Sequence, residues 1–251
     1  MPAHHQVQSD MSKDQIYEQQ DAEAGSFEFN ATVAAVFPDM LRRSIPGYDA
    51  TIHAIGRLAA RYVTPGTHCY DLGCSLGAAA AAMRHNIAAD DCEIIAVDTA
   101  PAMIERCRLL LAENGQETSC TVLQEDVRTT DISNASMVVM NYTLQFLSID
   151  ERLEMIRRIH SGMNDGGVFV LSEKVSDDDP EVEALLIELH HDFKRTNAYS
   201  DLEISRKRSA LENVLVPETA NAHLQRLKEA GFRHAGVWLR HFNFISIVAI
   251  R

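Results

Sequence analysis

The stretch Tyr70–Asn86, which reads YDLGCSLGAAAAAMRHN, predicts a β-strand, a tight glycine turn and an α-helix in direct succession. A strand that delivers a glycine turn to the start of a helix places backbone N–H groups around a concavity, where nucleotide-like ligands bind. The dinucleotide fingerprint requires G-x-G-x-x-G, but here Ser75 stands between Gly73 and Gly77. The loop alone therefore leaves three interpretations open: a dinucleotide site, an S-adenosylmethionine site, or plain strand–helix packing.

The segments around this loop repeat the strand–helix alternation. Short β-rich runs separated by helices of ten to fifteen residues predict a parallel, doubly wound α/β sheet. Two further strands, joined by a short turn around Arg240, predict a C-terminal antiparallel hairpin that completes a seven-stranded sheet. The predicted strands are THCYDLG, CEIIAVD, SCTVLQED, ASMVVMNYT, GGVFVLSEK and the two halves of FRHAGVWLRHFNFISIVAI.

The flanking segments set the predicted domain organisation. Residues 1–28 are polar and predict a mobile leader that can order in part against the body, whereas 29–251 predict a single domain. Before the first strand, a helical segment interrupted near Pro38 precedes a second helix, DATIHAIGRLAARYV. Three helical segments follow one another between about 179 and 230 and predict an insertion before the hairpin. Thr99 is the predicted cap of the helix that PAMIERCRLLLAEN forms.

The overall composition excludes several classes of protein. A formal charge of −13, from 23 basic and 36 acidic residues, argues against a direct nucleic-acid partner, since a phosphate-backbone binder carries a basic face. The five cysteines form no C-x-x-C pair, so we expect free thiols in a reducing cytoplasm. No apolar run is long enough to span a membrane. The triplet His190–His191–Asp192 is not expected to bind metal, because consecutive helical side chains point about 100° apart.

Carboxylates stand at the predicted carboxyl ends of the first three strands. Asp71 precedes the glycine loop, Asp98 closes the second strand about 20 residues beyond the loop, and Asp126 follows the third. Asp98 suits a pair of ribose hydroxyls, although a helix-capping role is the alternative, and Asp126 suits an adenine amino group. Asn141 ends the fourth strand, where many amine-directed methyltransferases carry a Pro-Pro motif that this chain lacks. Together with the hairpin, these positions favour S-adenosylmethionine over NAD.

The predicted insertion carries an unusual concentration of positive charge for so acidic a chain. Lys194-Arg195 is followed by Arg206-Lys207-Arg208. One interpretation is a solvated cationic helix face. The other is a cluster that binds a carboxylate ligand, for which a planar guanidinium offers two parallel hydrogen bonds.

An ordered set of segments makes the chain resemble the carboxy-S-adenosyl-L-methionine synthases, a bacterial tRNA-modification family with a class I methyltransferase fold. The resemblance extends from about Phe29 to Arg251, and LQFL together with the insertion EISRKRSALENV are its most specific parts. The segments are YDLGCSLGAA, VDTAPAMIERCR, NASMVVMNYTLQFL, GGVFVLSEK, HHDFKRTNAYSDLEISRKRSALENVL and AGFRHAGVWLRHFNFISIVAI.

The resemblance implies a reaction in which S-adenosylmethionine and prephenate yield carboxy-S-adenosylmethionine and phenylpyruvate. The sulfonium acidifies its methyl protons, and the resulting carbon nucleophile captures the carboxyl carbon. A partner enzyme would then use the product to carboxymethylate hydroxyuridine at the tRNA wobble position. The resemblance also implies a homodimer and no metal. An ordinary small-molecule methyltransferase and a non-catalytic S-adenosylmethionine-binding protein remain the alternatives.

The family's ligand-binding residues fall on ten positions of this sequence. Arg208 is the residue expected to hold the new carboxylate and is the predicted catalytic residue, while Thr99 and Val127 are expected to contribute backbone groups. The predicted binding set is Tyr48, Gly73, Cys74, Ser75, Asp98, Thr99, Asp126, Val127, Asn141 and Arg208.

Overall fold

In the computed structural model, which describes residues 13–14, 28–113, 118–211 and 214–251, the predicted strands assemble into one mixed sheet. The strands are β1 His68–Leu72, β2 Glu93–Asp98, β3 Ser119–Gln124, β4 Ala135–Asn141, β5 Met163–Ser176, β6 Glu218–Thr219, β7 His234–His241 and β8 Phe244–Ile250. The helices are α1 Ala31–Ser44, α2 Tyr48–Tyr62, α3 Ala78–Asn86, α4 Pro101–Glu113, α5 Ile149–Gly162, α6 Pro180–Thr196, α7 Asp201–Leu211 and α8 Ala220–Glu229, with a 3₁₀ turn at Leu144–Phe146.

The strand order is β3-β2-β1-β4-β5-β8-β7, which confirms the predicted doubly wound sheet with a C-terminal hairpin. Strands β1 to β5 pair in parallel, whereas β8 runs antiparallel to both β5 and β7. The two-residue strand β6, which the sequence did not predict, pairs with the end of β5. Because the chain winds from β1 to β3 on one side and returns to β4 on the other, a crevice opens at the carboxyl ends of β1 and β4.

Helices cover both faces of the sheet. Strand β4 is buried along its length from Ala135 to Met140, as a central parallel strand requires. Alternate side chains of the central strands pack on opposite layers. One layer contains Tyr70, Leu72, Val138, Phe169 and Leu171 with Met155, Ile159 and Leu227; the other contains Cys69, Ile94, Val139 and Val170 with Ile55, Ala80 and Met83.

Pro38 does not interrupt the first helix, contrary to the prediction. Helix α1 runs continuously from Ala31 to Ser44, with Asn30 accepting a hydrogen bond from Val33 N at its start. A proline within a helix removes one backbone hydrogen bond. The apolar face of α1 is buried in a cluster with Met103 of α4, and this packing offsets the loss.

Two other local predictions were also wrong. The hairpin turns at Phe242 and Asn243 rather than around Arg240, which pairs with Ile245 inside the ladder. Helix α4 begins at Pro101, and the acceptor at its start is Asp98 Oδ1, 2.9 Å from Ala100 N, rather than Thr99. A carboxylate three residues before the helix bonds the backbone just ahead of its first turn and carries charge that favours this end of a helix.

The buried Arg152 connects the end of the predicted insertion to the sheet. Its guanidinium is fully buried on α5 and donates to the carbonyls of Gln145, Leu147 and Val216. It also contacts the Glu218 carboxylate at 2.5 Å. This network holds the chain that returns from α7 against the loop that follows β4. No helix of the described residues is long and apolar enough to cross a bilayer.

We expect Arg152→Met to destabilise the protein by about 3 kcal/mol, because the variant strands three carbonyls and removes one cation from a buried carboxylate. Urea unfolding of the purified protein measures this change. Arg157→Met is the matched control: Arg157 lies exposed on the same helix, so its loss should change the free energy of unfolding by no more than about 0.5 kcal/mol. Equal stability of the two variants would contradict a structural role for Arg152.

Candidate cofactor and substrate site

A cavity of about 670 Å³ lies in the crevice at the carboxyl ends of the parallel strands. The loops after β1 to β4 form one side, and residues of α1, α6 and α7 form the other. All the predicted binding residues except Arg208 line this cavity, namely Tyr48, Gly73, Cys74, Ser75, Asp98, Thr99, Asp126, Val127 and Asn141. The backbone of Arg208 lies in α7, and its side chain is outside the part of the chain that the structure describes.

The N–H groups of the glycine loop are bonded within the protein. Gly73 N and Cys74 N both donate to Val97 O at 2.8 Å. Ser75 N donates to Asp98 Oδ2 at 2.8 Å, and Gly77 N donates to Cys74 O at 2.8 Å. These four donors are already used within the protein and are not available to a phosphate. A ligand without phosphate is compatible with this geometry and with the serine at the middle position.

Both loop glycines are required by their surroundings. Gly73 has φ +84°, and a Cβ atom there would collide with the Thr143 side chain. Gly77 has φ +86°, and its Cβ would lie 2.7 Å from Cys107 Sγ. A side chain at either position would be strained by the left-handed conformation and would also push the loop away from its neighbours.

Asp98 bonds the backbone before α4, and its ribose-binding role stays a prediction. It accepts backbone hydrogen bonds from Ser75 and Ala100, so it fixes the glycine loop and the start of α4 together. Burial raises its pKa, and the backbone donors oppose this effect. Each carboxylate oxygen has a second lone pair, so Asp98 can still accept from ligand hydroxyls in the cavity.

Asp126 lines the same cavity but is already engaged. Its carboxylate forms a 2.6 Å ion pair with Arg128, which also contacts Glu151 at 2.9 Å. The Arg128 guanidinium holds the pKa of Asp126 below its ordinary value. An adenine amino group at this carboxylate would have to share its oxygens with Arg128. Val127, side chain and backbone, is therefore a more available contact for the adenine than the Asp126 carboxylate.

Two polar groups near the glycine loop are available to a ligand. Asp71 is 1% exposed and accepts from Ala80 N at 2.9 Å, and burial raises its pKa to about 7. A cationic ligand group at this wall of the cavity would favour the ionised form. Within the described residues, Asn141 Oδ1 is buried without a hydrogen-bond partner. An acceptor without a partner at a cavity wall fits a site that a ligand donor completes.

Tyr142, which the sequence did not single out, is held in an unusual conformation. It has φ +64°, while its N–H donates to Ser172 O at 2.8 Å. Burial raises the pKa of its phenol and that of Tyr48. A left-handed bulky residue persists only where its surroundings impose it, and such strain concentrates at functional sites.

Three lysines also line the cavity. Lys174 of β5, Lys194 of α6 and Lys207 of α7 all line it. Lys194 and Lys207 are 8% and 5% exposed, whereas Arg195 is exposed and pairs with Asp192 and Asp201. The basic residues of the insertion therefore do not form one cluster. Some line the cavity and others face solvent, because successive helical residues point in different directions.

The face of α6 that lines the cavity was missed, although its spacing was a usable signal. Glu183, Ile187, His190 and Lys194 recur at helical spacing and all line the cavity. His190 Nε2 donates to Ser44 O at 2.8 Å, which fixes the ring against α1. Among the described residues, no three His, Cys, Asp or Glu side chains are grouped so that they could hold a metal ion.

Asp14, which lies in the predicted leader, is a buried partner of Lys207. It is 1% exposed, accepts a hydrogen bond from the Tyr199 hydroxyl, and lies 3.6 Å from the Lys207 ammonium. Its backbone carbonyl accepts from Arg43 at 3.0 Å. Lys207 also donates to Ser44 Oγ at 2.9 Å. Lys207 therefore has a carboxylate partner inside the protein.

The chain is similar over nearly its whole length to known enzymes. It is 57% identical to a carboxy-S-adenosyl-L-methionine synthase of Trichlorobacter lovleyi over 90% of this chain and 93% of that protein. A synthase of the same name from Escherichia coli is 51% identical over 95% of this chain and 97% of that protein. The family model described as a methyltransferase domain matches residues 70–167, which contain the glycine loop, Asp98 and Asp126.

Solved structures with low sequence identity share the fold. An O-methyltransferase homologue from Nostoc punctiforme superposes with a TM-score of 0.63 at 15% identity, over 88% of this chain and 59% of that one. An S-adenosyl-L-methionine-dependent methyltransferase homologue from Methanococcus maripaludis gives 0.57 at 20% identity, over 90% and 95%. These structures place the sheet and its crevice in the class I methyltransferase fold.

Gly73→Ala should weaken S-adenosylmethionine binding by about ten-fold or more, equivalent to about 1.4 kcal/mol, since its Cβ meets Thr143 and displaces the loop. Calorimetric titration measures the affinity. Gly66→Ala is the control, because Gly66 has a similar φ of +71° but open space around it. Both variants lose stability from the left-handed alanine, by about 1 kcal/mol, but only the first should lose affinity. Unchanged affinity of Gly73→Ala would contradict the assignment.

The raised pKa of Asp71 predicts how the stability of the ligand-free protein depends on pH. Its pKa is about 7 in the folded state and 3.8 as an ordinary aspartate, so between these values the folded state holds the extra proton. The contribution of Asp71 to stability is therefore largest at low pH and is lost as the pH rises towards 7 and beyond. Asp71→Asn should flatten the fall in the free energy of unfolding between pH 5 and pH 8.

Urea unfolding across this pH range measures the effect, with Asp131→Asn as the matched change at an exposed position. The control should retain the wild-type slope. An Asp71→Asn variant with the same slope as wild type would show that Asp71 is ionised in the folded protein.

Proposed function

The chain belongs to the carboxy-S-adenosyl-L-methionine synthase family, and we propose that it converts S-adenosylmethionine and prephenate into carboxy-S-adenosylmethionine and phenylpyruvate. The observation that best supports this reaction is the division of charge within one cavity. Carboxylates at the ends of β1 to β3 line the same cavity as lysines of β5, α6 and α7, and these lysines lie near one another. A cationic sulfonium nucleoside fits the carboxylates and an anionic co-substrate fits the lysines.

The bonds and charges of this reaction balance. A C–H bond of the sulfonium methyl group breaks, and a C–C bond forms between that carbon and the carboxyl carbon of prephenate. Prephenate loses this carboxyl group and its ring hydroxyl, so that its ring becomes aromatic and phenylpyruvate is released. The methyl proton and the departing hydroxide together form water. The protein has to hold two substrates in line and exclude other methyl acceptors.

The S-adenosylmethionine half of the cavity has suitable partners for each part of that molecule. Asp98 would accept from the ribose hydroxyls, and the buried Asp71 would stabilise a nearby cationic group. The buried Asn141 Oδ1 offers an acceptor for an amino or hydroxyl donor. The glycine loop, with its N–H groups bonded internally, presents a surface that an uncharged part of the nucleoside can approach.

Arg208 remains the proposed partner of the carboxylate that the product gains. The family resemblance supports this assignment, and Arg208 lies in α7, the helix that also carries Lys207. A guanidinium–carboxylate pair is commonly bidentate and would distinguish the product from S-adenosylmethionine. We further propose a cytoplasmic homodimer whose product supplies a tRNA carboxymethyltransferase acting on the wobble uridine, without direct contact between this chain and tRNA.

Incubation of the purified protein with S-adenosylmethionine and prephenate tests the reaction. We expect a nucleoside heavier than S-adenosylmethionine by about 44 mass units, the mass of CO₂, together with phenylpyruvate. The control replaces prephenate with phenylpyruvate, which has no carboxyl group to give up by aromatisation. Formation of S-adenosylhomocysteine with a methylated acceptor, or no change of mass, would refute the proposal.

Arg208→Ala should bind S-adenosylmethionine as wild type does but lose affinity for carboxy-S-adenosylmethionine by about ten-fold or more, because a charge-assisted bond contributes about 1.5–3 kcal/mol. Calorimetric titration with each nucleoside measures both affinities. Arg195→Ala, which removes an exposed arginine of the same insertion, is the control and should change neither. Equal product affinity of Arg208→Ala and wild type would remove Arg208 from the site.

A further inference from the structure

Lys194 is a buried cation without an anionic partner among the residues that the structure describes. It is 8% exposed and lines the cavity. Burial and, to a smaller extent, the nearby ammonium groups of Lys207 and Lys174 together lower its pKa to about 7. Lys207, by contrast, has Asp14 at 3.6 Å. Burying a cation among like charges costs free energy that an anion in the same place would offset.

The surroundings of Lys194 define the shape and chemistry of that anion. Ile187 and His190 lie on the same face of α6, and the His190 ring packs edge-on against Phe244, with centroids 4.8 Å apart. His190 donates from Nε2 to Ser44 O and is kept neutral, since burial lowers its pKa to about 3. Glu183, which also lines the cavity, accepts from Asp177 N at 2.8 Å. A cation at an apolar and aromatic wall fits a carboxylate on a short side chain that a six-membered ring carries.

We propose that Lys194, assisted by Lys174, binds the carboxylate that the second substrate retains, that is, the carboxylate of its pyruvyl side chain. This inference rests on the proposed function, in which a dicarboxylate gives up one carboxyl group and keeps the other. The group to be transferred must approach the sulfonium methyl near the glycine loop. The retained group would then be anchored on the cationic side of the cavity, so that the ring spans the two sides.

The assignment gives Lys194 a positioning role that differs from that proposed for Arg208. Arg208 would contact the carboxylate of the nucleoside product, whereas Lys194 would contact both prephenate and phenylpyruvate. Phenylpyruvate therefore reports on Lys194 without any turnover. It carries the retained carboxylate and lacks the transferred one.

The test compares Lys194→Met with wild type by calorimetric titration of phenylpyruvate into protein saturated with S-adenosylmethionine, and by the KM for prephenate. We expect the Kd for phenylpyruvate and the KM for prephenate to rise ten-fold or more, with the Kd for S-adenosylmethionine within two-fold of wild type. Lys194→Arg should recover a large part of both losses. Lys228→Met, the same change at an exposed position of α8, should match wild type.

Stability measurements separate this role from a structural one. The urea midpoint of ligand-free Lys194→Met should be no lower than that of wild type, because the variant removes a buried cation that lacks a partner. A large fall in the midpoint, or a Kd for phenylpyruvate within two-fold of wild type, would overturn the inference. If the methionine variant does not fold, Lys194→Gln and Lys194→Arg provide the same affinity comparison.

The outcome for Lys194 is distinguishable from the outcome for the proposed function. Failure of the wild-type protein to make the nucleoside that is heavier by about 44 mass units, the mass of CO₂, would refute the reaction itself. Production of that nucleoside by wild type, with unchanged KM and Kd in Lys194→Met, would leave the reaction in place and remove only Lys194 from it.

Discussion

The site depends on the attachment of the glycine loop to the end of β2. Val97 O accepts from Gly73 and Cys74, and the Asp98 carboxylate accepts from Ser75 at 2.8 Å. Because these bonds join the ends of two adjacent parallel strands, the loop cannot shift without moving Asp98 and the start of α4. They also use three N–H groups of the glycine loop, which are therefore not available to a ligand. The same interaction shapes the ligand site.

The second constraint is the separation of charge across the cavity. The carboxylates come from strand ends, which the sheet brings to one edge wherever parallel strands stop. The lysines come from β5 and from two helices of the insertion, and Lys194 and Lys207 are almost fully buried. Buried groups of like charge reduce stability, and such a cost is common where function requires a preorganised charge. In this cavity the cationic side is suited to a small anion, even though the whole chain has a net charge of −13.

A few buried polar groups hold the insertion and Asp14 of the leader against the rest of the protein. Arg152 fixes the returning chain after α7 through Glu218 and three carbonyls. Asp14 reaches the other side of the insertion through Tyr199 and Lys207. The sequence suggested neither contact, because both join residues far apart in the chain and neither follows a local pattern. Asp14 shows that a polar segment can supply a buried carboxylate partner to a lysine that lines the cavity and is remote in sequence.

The sequence by itself determined the sheet, its order of strands and helices, and the strand-end positions of Asp71, Asp98, Asp126 and Asn141. These follow from local periodicity and from the rule that parallel strands end at one edge. Local signals failed where packing overrode them, as at Pro38, whose helix continues because its apolar face is buried. Only the tertiary structure decided which lysines line the cavity and that Asp126 forms an ion pair with Arg128. It also decided that Lys194 lacks an anionic partner among the described residues. Those properties depend on burial and on the distances between residues remote in sequence, and such distances exist only once the chain has folded.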